Sequence, residues 1–167
     1  MVAINLGLGF LEPNFTPTKT GRAFELTRYL KLVKDFRDQF KPYRTDYDWL
    51  SRDPVEVDKY VDDPLCGFMI STQSWVGLLD ALPTLTSREN LAAIPKQKPI
   101  YVFAGSCDPV GEMGVGVLRL VDDYRAAWLN DVEVKLYPGG RHEMLNETNR
   151  AEVLSDCVAW IDGAIAT

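Results

Sequence analysis

Two apolar strand patterns follow one another in the C-terminal half of the chain. The run from Ile100 to Ala104 is rich in β-branched and aromatic residues and ends in a Gly-Ser-Cys-Asp-Pro turn, which is typical of a buried parallel strand. Residues 132–137 alternate between apolar and polar side chains and predict a second strand, which ends in Pro-Gly-Gly.

A helical pattern follows each strand. After the first strand, apolar residues recur at helical spacing until Asn130 and Asp131 and predict an amphipathic helix with Val117, Leu118, Val121, Tyr124 and Trp128 on its buried face. After the second strand, Asn149 and Glu152 have capping-box spacing for a final helix that would bury Val153, Cys157, Trp160 and Ile161. Strand, helix, strand, helix is the repeating unit of an α/β domain with a parallel sheet.

The pattern upstream is different. Residues 22–93 show helical periodicity and loops but no convincing strand, with apolar faces at Leu26, Leu30, Val33 and Phe36, at Val55 to Val61, and at Trp75, Leu78, Leu79 and Leu82. The junctions at residues 12–18 and 41–49 predict ordered loops. The first ten residues, MVAINLGLGF, are a candidate for one more strand.

Composition and charge exclude several functions. The 167 residues suffice for one domain with a real core, and a net charge of −6 without a basic block excludes a nucleic-acid binder. Because no apolar run approaches the ~20 residues that span a bilayer and no signal-peptide pattern is present, we expect a cytoplasmic protein. Cys66, Cys107 and Cys157 share no metal-ligand spacing, which predicts reduced thiols and neither metal nor cofactor.

The candidate chemistry lies where the two predicted strands end. Asp108 follows the first strand, and His142, the one histidine of the chain, follows the second. Because the carboxyl ends of parallel strands meet at one edge of a sheet, we expect these side chains to come together. A carboxylate would then orient the imidazole, which could act as a general base.

Plainer explanations exist for these residues. His142 also fits a hydrogen-bonded residue near the start of the last helix, and Asp108 fits a turn residue because Asp-Pro favours turns. Ser106 and Cys107 flank Asp108 but are weak candidates for a nucleophile, since a catalytic thiol needs cationic neighbours. Residues 111–116, GEMGVG, match no phosphate-binding pattern and predict flexible entry into a helix.

Three longer stretches carry a more specific signature. They are DWLSRDPVEVDKYVDDPLCGF, PIYVFAGSCDPVG and VEVKLYPGGRHEMLNETNR. Together they resemble the lysophospholipase and serine aminopeptidase-like branch of the α/β-hydrolases, which includes monoacylglycerol lipase-like enzymes, over roughly residue 45 to the C-terminus. By that resemblance Asp108 is the acid and His142 the base of a catalytic triad.

The same resemblance implies a partial α/β-hydrolase fold. It comprises about three parallel strands, the last of the sheet, with flanking helices and a helical cap. Residues 1–10 would form a strand, residues 11–93 the cap, and residues 94–167 the C-terminal part of the core. The implied substrate is an acyl ester such as a monoglyceride or a lysophospholipid.

The chain departs from this family in lacking a nucleophile. No G-x-S-x-G elbow is present, because none of the serines has a glycine two positions before it: Ser51, Ser71, Ser74, Ser87, Ser106 and Ser155. We therefore expect the acid-and-base half of an ester hydrolase. The alternative is a catalytically silent remnant that acts as an interaction module or as one half of a split enzyme, and the broken sheet edge would let it dimerise or bind an N-terminal half.

Overall fold

The computed structural model describes residues 34–67 and 72–166 of the chain. Residues 34–38 are helical, and the elements that follow are α1 (Pro54–Asp62), α2 (Thr72–Leu85), α3 (Arg88–Ala93), β1 (Ile100–Gly105), α4 (Val115–Ala126), β2 (Val132–Tyr137) and α5 (Arg150–Ile165). Short 3-10 turns cover Glu112–Gly114 and Met144–Asn146. The predicted order of strand, helix, strand, helix is confirmed.

The two strands form a parallel sheet with a helix on each face. Ile100 lies opposite Val132 and Gly105 opposite Tyr137, so both strands end at the same edge. On one face α4 packs through a buried cluster of Val102, Val117, Val121, Leu129 and Val132. On the other face α5 packs through Tyr137, Met144 and Val153. The predicted strand at residues 1–10 lies outside the described residues.

The part of the chain before the sheet is helical wherever the structure describes it. Asp53 caps α1 by accepting a hydrogen bond from the Val55 amide at 3.0 Å. Pro54 occupies the first position of the helix, where its lack of a backbone N–H costs no hydrogen bond. Ser87 caps α3 in the same way through the Asn90 amide. Residues 34–67 and 72–93 contain no strand, as predicted. The side chains of Trp75 and Leu79 lie outside the described part.

The structure corrects the predicted face and end of α4. Val117 and Val121 are buried as expected, but Leu118 is 45% exposed and Leu120 takes its place in the core. The helix ends at Ala126, and Trp128 beyond it is 75% exposed with a positive φ of 65°. Val117, Leu120 and Val121 lie within about 100° of one another around the helix axis, and Leu118 lies outside that arc.

The last helix also departs from its prediction in two details. Val153 is fully buried, whereas Cys157 and Trp160 are half-buried and Ile161 is 44% exposed. Asn149 precedes the helix as predicted, but its side chain does not cap the backbone. Its amide oxygen instead accepts a hydrogen bond from Arg52 at 2.9 Å, and its nitrogen donates to Glu152.

Candidate active site

Asp108 lies in the tight loop that follows β1 and is almost completely buried. One carboxylate oxygen, Oδ1, accepts a hydrogen bond from the Val110 amide at 2.9 Å. Its backbone is held as well, because its amide donates to the Gly105 carbonyl and its carbonyl accepts from the Met113 amide. The Asp-Pro turn therefore orients this carboxylate, in agreement with the interpretation of Asp108 as a turn residue.

His142 meets Asp108 at the edge where both strands end. The imidazole Nδ1 lies 3.1 Å from Oδ2 and 3.2 Å from Oδ1 of the carboxylate, as the sequence predicts for two adjacent strand-end loops. An acceptor at Nδ1 favours the tautomer with the proton there and leaves a lone pair on Nε2. No residue in the described ranges forms a hydrogen bond with Nε2, and the side chain is 19% exposed.

Two glycines allow the loops after β1 and β2 to come this close. A Cβ atom at Gly105 would lie 2.1 Å from the Gly140 carbonyl oxygen and 2.3 Å from that of Arg141, a distance that no side chain tolerates. Hydrogen bonds join the loops at the same place, from the Cys107 amide to the Gly140 carbonyl and from the Gly139 amide to the Ser106 hydroxyl. The contact between Asp108 and His142 therefore depends on the absence of side chains at Gly105 and Gly140.

Residues 48–52, which belong to the predicted cap, bond directly to the histidine loop. The His142 amide donates to the Trp49 carbonyl at 3.4 Å, and the Glu143 amide donates to the Leu50 carbonyl at 2.8 Å. The Trp49 ring lies 5.2 Å from the imidazole, measured between centroids. Trp49 thus covers one side of the base and reduces its contact with water.

Arg141, next to the histidine, extends the same contact. Its guanidinium donates to the carbonyls of Asp48 and Ser51 and lies 4.3 Å from the centre of the Phe40 ring. Burial lowers the pKa of Arg141, although the nearby carboxylates of Glu147 and Asp48 act in the opposite direction. The loop is therefore held to the upstream segment by backbone and side chain together.

A buried carboxylate that the sequence did not identify lies beneath the histidine loop. Glu147 is 0% exposed and accepts hydrogen bonds from Arg52 and from the backbone amides of Arg141 and Thr148. It occurs within the motif GGRHEMLNE, but 95 residues separate it from Arg52. The spacing of residues around Glu147 does not predict a contact with a residue so distant in the sequence.

Two serine hydroxyls near the site have structural roles. The Ser106 hydroxyl accepts from the Gly139 amide, and the buried Ser51 hydroxyl donates to the Asn146 carbonyl while accepting from the Asp53 amide. In residues 111–116 the amides of Glu112, Met113, Gly114 and Gly116 donate to backbone carbonyls and are therefore not available to an anion. Ser71 lies outside the described residues.

The described residues contain neither a metal-binding cluster nor a membrane-spanning helix. Within the ranges that the structure describes, no group of three or more His, Cys, Asp or Glu side chains could hold a metal ion. No helix in the same ranges has the length and apolar character to cross a membrane. The cytoplasmic location stays a prediction.

Known sequences are similar to this chain over most of its length. The family model described as "Serine aminopeptidase, S33" matches residues 8–149. A monoacylglycerol lipase from Mycolicibacterium smegmatis is 34% identical over 116 residues, which are 70% of this chain and 39% of that protein.

Solved structures match the fold as well. A thermostable carboxyl esterase from Bacillus coagulans, in complex with glycerol, superposes with a TM-score of 0.75 at 29% identity over 84% of this chain and 46% of that one. A lipase in an open form superposes with a TM-score of 0.69 at 32% identity over 77% and 42%. A soluble variant of monoglyceride lipase from Saccharomyces cerevisiae, with a substrate analogue, shares the fold at 21% identity and a TM-score of 0.58 over 72% and 42%. The chain spans less than half the length of each of these relatives.

Proposed function

The chain belongs to the serine aminopeptidase family of α/β-hydrolases, and from this membership we propose that it supplies the acid and the base of a serine ester hydrolase. The observation that carries the proposal is the contact between Asp108 and His142 at the ends of two paired parallel strands. In this fold the triad follows the order Ser, Asp, His along the chain. Asp108 and His142 follow one another in the order of the second and third members of that triad.

Each of the two side chains has a defined part in the proposed reaction. Asp108 accepts the Nδ1 proton of His142 in a hydrogen bond and keeps the Nε2 lone pair available. Nε2 takes the proton from a serine hydroxyl as its oxygen attacks the ester carbonyl, and it then gives that proton to the departing alcohol. Water repeats the sequence on the acyl-enzyme and releases the carboxylic acid. The buried carboxylate stabilises the imidazolium that forms twice in this cycle.

The proposed substrate is a carboxylic ester with an acyl chain, such as a monoglyceride or a lysophospholipid. The names of the relatives support this choice over a peptide or amide, since they include a monoacylglycerol lipase and a carboxyl esterase. Residues 11–93, which include α1, α2 and α3, would form the cap that selects the acyl or alcohol group, and residues 94–167 would form the core.

The nucleophile has to come from another polypeptide segment. The printed sequence contains no G-x-S-x-G elbow, and the chain corresponds to 39–46% of its relatives in length. We assign the missing serine to a complementary N-terminal half that joins the sheet on the β1 side, next to the strand predicted at residues 1–10. Among the described residues β1 pairs with β2 alone, so the sheet would continue on the side of β1 that faces away from β2.

Complementation tests the proposal. The purified chain would be assayed with p-nitrophenyl esters alone and after mixing with an N-terminal half of the Bacillus coagulans esterase that carries G-x-S-x-G. We expect turnover only in the mixture, and we expect His142→Ala to lower it by about 10⁴-fold or more. The control Glu133→Gln changes an exposed side chain of β2 and leaves turnover unchanged. Turnover that survives His142→Ala would refute the assigned base.

A second candidate function is that of a silent binding module. It is favoured by an exposed apolar stripe on α5, with residues spaced by four, three and four: Leu154, Val158, Ile161 and Ile165, each at least 44% exposed. This function predicts a stable complex with the complementary half, or a homodimer, without turnover in either state. Light scattering beside the esterase assay separates the two functions.

A further inference from the structure

Glu147 has an ionisable side chain that lies in the interior of the protein. Its side chain has no exposed surface, and burying a carboxylate is unfavourable unless donors replace the lost water. The donors are present on both oxygens. Oε1 accepts from the Arg52 and Arg141 amides at 3.1 and 2.9 Å, and Oε2 accepts from Arg52 Nε and the Thr148 amide at 2.9 Å each.

These donors keep the carboxylate ionised. Burial raises the pKa of Glu147, but the amides of Arg141 and Thr148 and the side chain of Arg52 lower it more, so that the pKa lies below its ordinary value. A charged acceptor forms stronger hydrogen bonds than a neutral one. The backbone groups around Glu147 are therefore held firmly at neutral pH.

The bond to Arg141 matters most, because Arg141 is the residue before His142. Glu147 Oε1 accepts from this amide, while the Trp49 and Leu50 carbonyls accept from the two following amides. Three consecutive backbone amides, those of Arg141, His142 and Glu143, are thereby held by hydrogen bonds. A side chain so constrained has little freedom to leave Asp108.

We propose that Glu147 is a positioning residue, which holds the backbone before His142 so that Nδ1 stays within hydrogen-bonding distance of Asp108. The inference rests on the proposed function only for the catalytic meaning of His142. The Asp108–His142 contact that it concerns can be measured without any substrate.

The single histidine makes this measurement simple, since the imidazole gives one pair of ¹⁵N signals. In the unmodified chain we expect shifts typical of the tautomer with the proton on Nδ1. Glu147→Gln keeps the volume of the side chain but replaces one carboxylate oxygen by an NH₂ group, which cannot accept hydrogen bonds from the N–H donors that face it. We then expect the ¹⁵N shifts of Nδ1 and Nε2 to move towards the averaged values of free imidazole. Such averaging would show that the single tautomer has been lost.

Two further variants separate positioning from a general loss of charge. Arg52→Met removes the ion pair but leaves the bond from the Arg141 amide to Glu147, so we expect the tautomer to persist. Asp156→Asn removes a carboxylate from α5 whose hydrogen-bond partners in the described ranges are the side chains of Lys135 and Tyr137, and we expect no change at the imidazole. If Arg52→Met loses the tautomer as fully as Glu147→Gln does, the inference is wrong.

Hydrogen exchange in the unmodified chain guards against a variant that fails to fold. The Arg141 amide should be protected as strongly as the amides that join β1 and β2, and exchange at the rate of an open loop would overturn the inference. Asp108→Asn separates the role of Glu147 from the proposed roles of Asp108 and His142. If it abolishes the tautomer while a folded Glu147→Gln keeps it, only the role of Glu147 fails; if Asp108→Asn also keeps it, the proposed acid and base fail.

Discussion

At the scale of single residues, the site depends on two loops that approach more closely than any side chain permits. Gly105 ends β1 and lies against the backbone of Gly140 and Arg141, directly before the histidine. The neighbouring atoms at Gly105 are backbone atoms, which cannot rotate away as a flexible side chain can. The position is thus restricted to glycine by contact and not by an unusual φ angle.

Gly105→Ala should therefore weaken both the fold and the contact between acid and base. Overpacking of this kind typically costs about 1–3 kcal/mol, and we expect a lower urea midpoint together with loss of the single His142 tautomer. The matched control is Gly163→Ala in α5, where a Cβ meets nothing within 4 Å and should stabilise the helix by ~0.5–1 kcal/mol. Equal midpoints for the unmodified chain and Gly105→Ala would contradict the argument.

The sequence predicted the contact of Asp108 with His142 but not the support around it. The contact follows from a general rule, because loops after neighbouring parallel strands share one edge. Glu147 and Arg52 follow no such rule, since their pairing depends on how residues 48–53 pass the histidine loop. Burial of a charged residue is decided by tertiary partners and leaves no periodic signal in a single sequence.

At the scale of elements, a polar contact joins β2 to α5 on the face of the sheet that this helix covers. Tyr137 is fully buried and donates its hydroxyl to Asp156 at 2.7 Å. The hydrogen bond from Lys135 and then that from Tyr137 lower the pKa of Asp156, whereas burial raises the pKa of Tyr137. Helix and strand are held together by this contact as well as by apolar packing.

Tyr137→Phe should lower the free energy of unfolding in a pH-dependent way. At pH 7 we expect a loss of about 1 kcal/mol, the usual value for a buried hydrogen bond. A carboxylate with a lowered pKa stabilises the fold above its unfolded pKa, and this contribution is lost as pH falls through the folded pKa. The difference between Tyr137→Phe and the unmodified chain should therefore shrink between pH 7 and pH 3.

Urea unfolding at the two pH values measures this difference. Tyr101→Phe is the control, since its hydroxyl lies 3.5 Å from that of Tyr137 at the limit of hydrogen bonding, and its effect should be smaller. A difference that stays constant or grows in acid would show that Asp156 is not the group responsible.

The elements themselves were largely predictable, while their exposed faces were not. Both strands and the helices α4 and α5 were anticipated from periodicity. Leu118 and Ile161 were expected in the core but lie 45% and 44% exposed. Periodicity identifies the apolar residues of a helix, but how many of them are covered depends on the width of the surface beneath, which here is a sheet of two described strands.

At the scale of the whole molecule, α5 presents more apolar surface than these two strands can cover. The stripe Leu154, Val158, Ile161 and Ile165 lies beside the face that packs on the sheet. An exposed apolar stripe of this kind is typical of an interaction surface, which is why it favours the second candidate function.

Val158→Lys should reduce association without reducing stability. We expect weaker self-association, or weaker binding to the complementary half, in light scattering over a concentration series. The free energy of unfolding should change by no more than ~0.5 kcal/mol, because the side chain is 56% exposed. Ser155→Lys adds the same charge at an exposed position of α5 outside the stripe and should leave association intact. Identical behaviour of the two variants would contradict a role for the stripe.

The attachment of residues 48–52 to the histidine loop couples two segments that lie about 90 residues apart in the sequence. Trp49 and Leu50 share backbone hydrogen bonds with His142 and Glu143, and Asp48 and Ser51 accept from Arg141. A displacement of residues 48–52 would therefore pull on the backbone that carries the imidazole. The distance between Asp108 and His142 is in this way sensitive to an upstream segment as well as to the sheet.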